Sequence, residues 1–179
     1  MRRRRTGTVV TGRSPHHSLR FFYQYFRLHG ADGTLLRSTP RVLSLAQGEA
    51  SRTEADLLQV PGGSRVIRIH RLRSVDGRPS MHERMLIAAE RVPGLPEMHG
   101  LPDLLYLFLL ERYGIRISSV RESLSAELAS DEDAALLELS LPAPVLVIDE
   151  VAFDQAGAPA VAATHRATTQ GLRYMNEVR

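Results

Sequence analysis

The sequence predicts an α+β fold, with several antiparallel strands and about three helices packed against them. Three observations carry that prediction. Runs with strand periodicity recur along the whole chain, a few stretches open on helix-capping residues, and neighbouring strands are joined by turns such as Val75-Asp76-Gly77 and Asp154-Gln155-Ala156-Gly157. Such turns are too short for the crossover that a parallel pair needs, so the pairs they join are antiparallel.

Residues 1–18 are polar and contain Gly, Pro and Ser, which reads as an arm ahead of a domain over 19–179. The aromatic run 19–28 (LRFFYQYFRL) is the first expected strand. After the turn signal Ala31-Asp32-Gly33, residues 40–45 (PRVLSL) return as its hairpin partner. Ser51 with Glu54 three residues on has capping-box spacing for a helix over 52–58, closed by Pro61-Gly62-Gly63. A strand over 66–74 (VIRIHRLRS) turns at Val75-Asp76-Gly77 into another over 81–87. Residues 102–113 (PDLLYLFLLERY) form an apolar helix stopped by Gly114, and 115–129 alternate as a strand. Ser130 opens an acidic helix whose charges suit its N-terminal dipole, and 145–153 and 159–167 form the last hairpin.

The strand 66–74 is the most informative, because Ile67, Ile69, Arg71 and Arg73 share one face, so two cations continue an apolar stripe. A buried guanidinium without an acceptor is costly, and an anion is expected there. Register decides its identity. A two-residue Asp-Gly loop would set odd against even positions, whereas a three-residue loop with Gly77 left-handed merges Ile67, Ile69, Met81, Met85 and Ile87 into one face and brings Glu83 to Arg71. The three-residue loop is therefore expected. Two readings of Arg71, Arg73 and Glu83 stand at this point: a structural ion-pair group, or a ligand site whose spare guanidinium donors await an acid. Glu122 shares parity with Val120, Leu124 and Ala126, as a second inward carboxylate or as a surface residue of an edge strand. Tyr106, Tyr174 and His165 either offer polar atoms to a ligand or pack with those atoms at the boundary.

Composition narrows the function. The 179 residues, 43% hydrophobic and 24% charged, suffice for one packed domain. The absence of cysteine excludes disulfides, thiolate metal sites and thiol nucleophiles. The chain has no apolar run of about 18 residues for a membrane and no apolar stretch behind MRRRRTG for export, so a cytoplasmic location is expected. The histidines fall in no metal-binding spacing, and no dinucleotide, phosphate-loop or nucleophile-elbow motif occurs; no metal and no cofactor are expected. Arg2, Arg3, Arg4 and Arg5 outweigh the whole net charge of +3. Any electrostatic contact with nucleic acid is thereby confined to the N-terminal arm, whose other reading is a solvated tail.

Taken in order, RLRSVDGRPSMHERM, VPGL, LLYLFLLERYGI, VIDEVAFDQAGAPAVAATHRA and a terminal RYMNEV resemble the UTRA domain of GntR-superfamily (HutC-like) transcription regulators over nearly all of 19–179. The resemblance implies a chorismate-lyase-like fold with an effector pocket, in a homodimer whose N-terminal winged helix-turn-helix leaves DNA when the effector arrives. Residues 5–10 (RTGTVV) resemble the end of that family's wing, so the resemblance implies a regulator cut inside its DNA-binding domain, with Arg4, Arg5, Thr6 and Gly7 as the DNA-contacting remnant. The family's effector arginines match Arg71 and Arg73, its pocket acid Glu83 and its late tyrosine Tyr174. Members that bind sugar phosphates place serine at the positions of Pro40 and Leu104, and an acid at that of Leu172. With apolar residues there, the implied effector is an anionic carboxylate metabolite. The alternative on the same fold is a chorismate-lyase-like enzyme acting on a small dicarboxylate; the wing-like residues and the order of the motifs favour the non-enzymatic sensor.

Overall fold

The computed structural model describes residues 28–95 and 101–175. In order these form β1 (Leu28–Gly30), β2 (Thr39–Glu49), α1 (Arg52–Leu58), β3 (Arg65–Val75), β4 (Arg78–Ala88), a 3₁₀ turn (Ala89–Arg91), α2 (Leu105–Tyr113), β5 (Ile117–Leu128), α3 (Asp131–Leu137), β6 (Pro144–Asp154), β7 (Pro159–Thr168) and β8 (Leu172–Tyr174). Six strands make one antiparallel sheet in the order β2-β3-β4-β7-β6-β5, and β1 pairs with β8 as a separate ribbon. This is the α+β architecture the sequence predicts. The arm over 1–18, with Arg4, Arg5, Thr6 and Gly7, lies outside the described residues, as does nearly all of the strand expected over 19–28.

Both capping boxes form: Ser51 with Glu54 opens α1, and Ser130 with Asp133 opens α3. Each supplies acceptors to amides that the first helical turn leaves unpaired. The helix stops differ from expectation at α1, where Gln59 takes the left-handed conformation at φ 53°, ahead of Pro61-Gly62-Gly63. Gly114 caps α2 at φ 67° as expected, but α2 begins at Leu105 and not at Pro102.

One connection corrects the sequence reading. The β3–β4 loop has two residues, Asp76 and Gly77, both with positive φ (49° and 78°), the geometry of a type I′ hairpin. Such a loop pairs Val75 with Arg78 and Ser74 with Pro79, the odd-with-even register. The ladder then shifts, with Ser80 as the extra residue, so that Arg73 faces Met81, Arg71 faces Glu83 and Ile69 faces Met85. The bulge, and not the loop, supplies the missing residue, and the expected parity survives. Residues 40–45 lie in β2, which pairs with β3; nearly all of the hairpin partner expected for them, 19–28, lies outside the described residues. β1 finds its partner at the far end of the chain, in β8.

The sheet buries both faces, but unequally. On the first face, Ile67, Ile69, Met85, Ile87, Ala152 and Val161 pack under Leu105, Tyr106 and Leu109 of α2. Leu28, Leu172 and Tyr174 of the β1–β8 ribbon cover Met81 and Ala167 farther along that face. On the second face, α1 sets Leu58 on Val66, Leu86 and Val151, while α3 sets Leu137 on Leu72, Val145 and Val147. Asp133 also ties α3 down electrostatically, taking His82 Nε2 at 2.7 Å and Arg166 Nε at 2.8 Å. The first face thus has a gap between α2 and the ribbon, and the functional side chains stand there.

Candidate functional site

Two adjacent rows across the sheet supply the floor of that gap. Register aligns Arg71, Glu83, His165 and Ile148 in one row and Ile69, Met85, Ala163, Glu150 and Glu122 in the next. Because side chains alternate between faces, all of these point to the first face. Of these, Arg71, Glu83, His165, Met85 and Ala163 border a cavity of about 420 Å³. Leu35, Leu36, Ser38 and Thr39 wall it on one side and Leu104, Leu105 and Tyr106 on the other.

The charged groups form one connected cluster. Glu83 Oε1 accepts Arg71 Nε at 2.7 Å and Arg73 Nε at 2.9 Å, while its Oε2 lies 3.2 Å from His165 Nδ1, an ion-pair contact. His165 Nε2 is 3.1 Å from Glu150 Oε2, and Tyr106 donates its hydroxyl to Glu150 Oε1. Arg73 Nη1 also donates to Ser38 Oγ at 3.0 Å. Arg71, Glu83, Glu150 and His165 are each 5% exposed or less. Burial works against the Glu83 carboxylate, but Arg73 and Arg71 outweigh it and hold its pKa well below the usual range. Burial likewise opposes the His165 cation, yet Glu150 and Glu83 prevail and raise its pKa to about 9. At neutral pH the imidazole is an imidazolium.

Arg71 keeps a spare donor in this cluster. Arg71 Nη1 is buried without a hydrogen-bond acceptor, and Arg71 Nη2 has only the Met85 thioether, at 3.6 Å, besides Glu83. A wholly structural ion-pair group would be expected to satisfy its donors, since each buried unpaired donor costs on the order of 1–3 kcal/mol. The arrangement can accept an anionic oxygen from a ligand in an apolar-walled cleft.

The structure brings Arg71, Arg73, Glu83, Tyr106 and His165 together on the cavity wall. Tyr174 is not among the wall residues; its hydroxyl donates to Glu122 Oε2 at 2.6 Å, tying the ribbon to the edge strand. Leu104 is on the wall, whereas Pro40 and Leu172 are not. Sequence reasoning missed Glu150 and Ser38. The signal for Glu150 was present: Asp149 and Glu150 adjoin in a strand buried on both faces, so one of them must point toward the α2 side. Ser38 precedes its strand and carried no periodicity. Among the described residues no group of three metal-ligating side chains stands close enough to hold an ion, and no helix is long and apolar enough to cross a membrane.

Comparison with known proteins agrees with this architecture. The UTRA domain family model matches residues 36–170. A relative described as "Probable fructoselysine utilization operon transcriptional repressor" from Escherichia coli (strain K12) is 28% identical over 102 residues, 57% of this chain and 42% of the relative. The chain thus spans less than half the length of the curated relatives it matches. Among solved structures, the effector domain of PhnF from Mycobacterium smegmatis superposes with a TM-score of 0.75 at 21% identity, covering 80% of this chain and 88% of that one. The C-terminal domain of the histidine utilization repressor from Pseudomonas syringae pv. tomato gives 0.70 at 20% identity, over 80% and 99%. At such identities these two matches speak for the fold.

Proposed function

The chain belongs to the UTRA domain family, and from that membership we propose that it senses a small anionic carboxylate metabolite for a GntR-type transcription regulator, in its cavity at Arg71. The observation that carries the reading is Arg71 Nη1, a buried cationic donor without a partner on the wall of a 420 Å³ cavity. Arg71 holds the acid, Glu83 fixes its guanidinium and is itself held by Arg73, and Tyr106 and His165 border the ligand. Tyr174 acts at the ribbon that closes one end of the cleft. The apolar wall at Leu35, Leu36 and Leu104 suits an apolar body better than a polyhydroxy one.

In the full-length regulator, taken as a homodimer in the cytoplasm, the effector shifts the balance between a DNA-bound and a released arrangement by binding one of them more tightly. The repressor description of the Escherichia coli relative supports control of an operon. Arg4, Arg5, Thr6 and Gly7 lie against the phosphate backbone in this reading, adding affinity without sequence choice. The protein binds without turning its ligand over.

Mass spectrometry of the small molecules released when freshly purified protein is denatured tests the reading. A carboxylate present in stoichiometric amount in the wild type and absent from Arg71→Ala is the expected result. A phosphosugar in its place, or pyruvate produced on incubation with chorismate, would sink it.

A further inference from the structure

The two edges of the six-stranded sheet, β2 and β5, are built differently. β2 carries Pro40 and a bulge at Leu43, two devices that keep an edge from pairing further. β5 has its bulge at the start, at Ser118, and then runs in regular register from Ser119 to Leu128 with no proline or glycine. Among the described residues it pairs with β6 alone. Its side chains are exposed along nearly its whole length, Leu124 at 45% and Leu128 at 71%. A long, regular edge with exposed leucines presents its outward amides and carbonyls as a template for one more strand.

The residues of β5 indicate which strand that is. A two-fold axis normal to the sheet sets two copies of β5 antiparallel with like faces on one side, so opposite residues must agree in parity. Centred on Leu124, residues 120–128 complement themselves. Arg121 meets Glu127, twice by symmetry, Val120 meets Leu128, Leu124 meets its own copy and Ser123 meets Ser125. Glu122 meets Ala126 while its carboxylate holds the Tyr174 hydroxyl. Moving the centre by one residue breaks the match: at Ser123, Glu122 falls opposite Leu124, and at Ser125 it falls opposite Leu128.

We propose that β5 pairs with β5 of a second copy of this chain about a two-fold axis at Leu124, joining two six-stranded sheets into one of twelve strands with both cavities on the same face. The interface goes beyond the ligand reading and does not depend on it. It also touches the cavity's surroundings, because the Tyr174–Glu122 bond ties the β1–β8 ribbon to the interface strand two residues from the axis.

The chain has no cysteine, so single replacements in the full chain report the register. Across the axis the two Cα atoms at position 124 stand about 4.5–5.5 Å apart, within disulfide reach. Leu124→Cys should therefore become a covalent dimer on mild oxidation. Leu128→Cys, at a more exposed position, should not, since its two copies stand about 27 Å apart along the strands. Sedimentation velocity adds a charge test: wild type should be dimeric, Arg121→Glu monomeric, and the exchange Arg121→Glu/Glu127→Arg dimeric again. Arg166 keeps Asp133 when Glu127 is replaced, and circular dichroism melts check that each variant is folded. Should Leu124→Cys not fold, the charge exchange alone decides. A monomeric wild type, no covalent dimer from folded Leu124→Cys, equal cross-linking of the two cysteine variants, a dimer that Arg121→Glu leaves intact, or a folded exchange that stays monomeric would each overturn the proposal.

Discussion

Arg71 illustrates how much rests on single atoms. Its Nε and Nη2 are spent on Glu83, and its Nη1 has no acceptor, so Arg71→Ala removes the free donor while leaving Glu83 with Arg73 and His165. Anion binding should disappear. Stability should fall by about 2–3 kcal/mol, the low end for breaking a buried pair, because two partners remain. Urea denaturation beside calorimetry separates the two effects; a variant that unfolds outright would mean that the arginine is primarily structural. His165 adds a pH dependence. Its pKa is raised in the folded protein from an ordinary 6.5 to about 9, so its stabilising contribution is full below 6.5 and is lost as pH rises through about 9. Urea midpoints measured from pH 6 to 10 should decline over that window, and His165→Gln should flatten the decline. At this scale the sequence was legible where parity made a cation conspicuous, as at Arg71 and Arg73. It was silent at Ser38, whose role depends on where a loop passes.

Among the elements, the β3–β4 hairpin is the most instructive. The sequence shows the Asp-Gly turn and the apolar stripe, and the two conflict by one residue; a longer loop and a bulge both resolve the conflict, and nothing local chooses between them. The chain chooses the bulge at Ser80, since Asp76 and Gly77 both adopt positive φ in the tighter turn. Deleting Ser80 should therefore remove the bulge and leave one continuous register, with Arg73 still opposite Met81 and Arg71 still opposite Glu83, so that the variant melts cooperatively and still binds anions. A deletion variant that did not fold, or that folded without binding anions, would contradict this. The ends of α1 and α3 were legible because capping boxes are local, but the second duty of Asp133 was not. It accepts from Ser130 within the helix and from His82 and Arg166 on the sheet, contacts between residues far apart in sequence. Asp133→Ala should cost about 3–5 kcal/mol, well above the roughly 1 kcal/mol expected of Ser51→Ala at the cap of α1. Equal losses in chemical denaturation would show that the clamp on α3 contributes little.

Across the whole molecule, the two faces of one sheet divide the work. The second face is bound by α1, α3 and the Asp133 network, which hold the strands in place. The first face is covered at its ends by α2 and the β1–β8 ribbon, and the opening between them holds the charged cluster. The α+β class and most strand positions were legible because strand period and turn residues are local properties. Pairings between distant segments were not: β1 with β8 joins the two ends of the described chain, and β2 docks on β3 across α1. The most direct measurement of the central claim is a crystal structure of the protein with the carboxylate that raises its melting temperature most. The account predicts one carboxylate oxygen within hydrogen-bond distance of Arg71 Nη1 and the ligand's apolar part against Leu104. A ligand bound on the second face, or one in the cavity whose carboxylate turns away from Arg71, would contradict it.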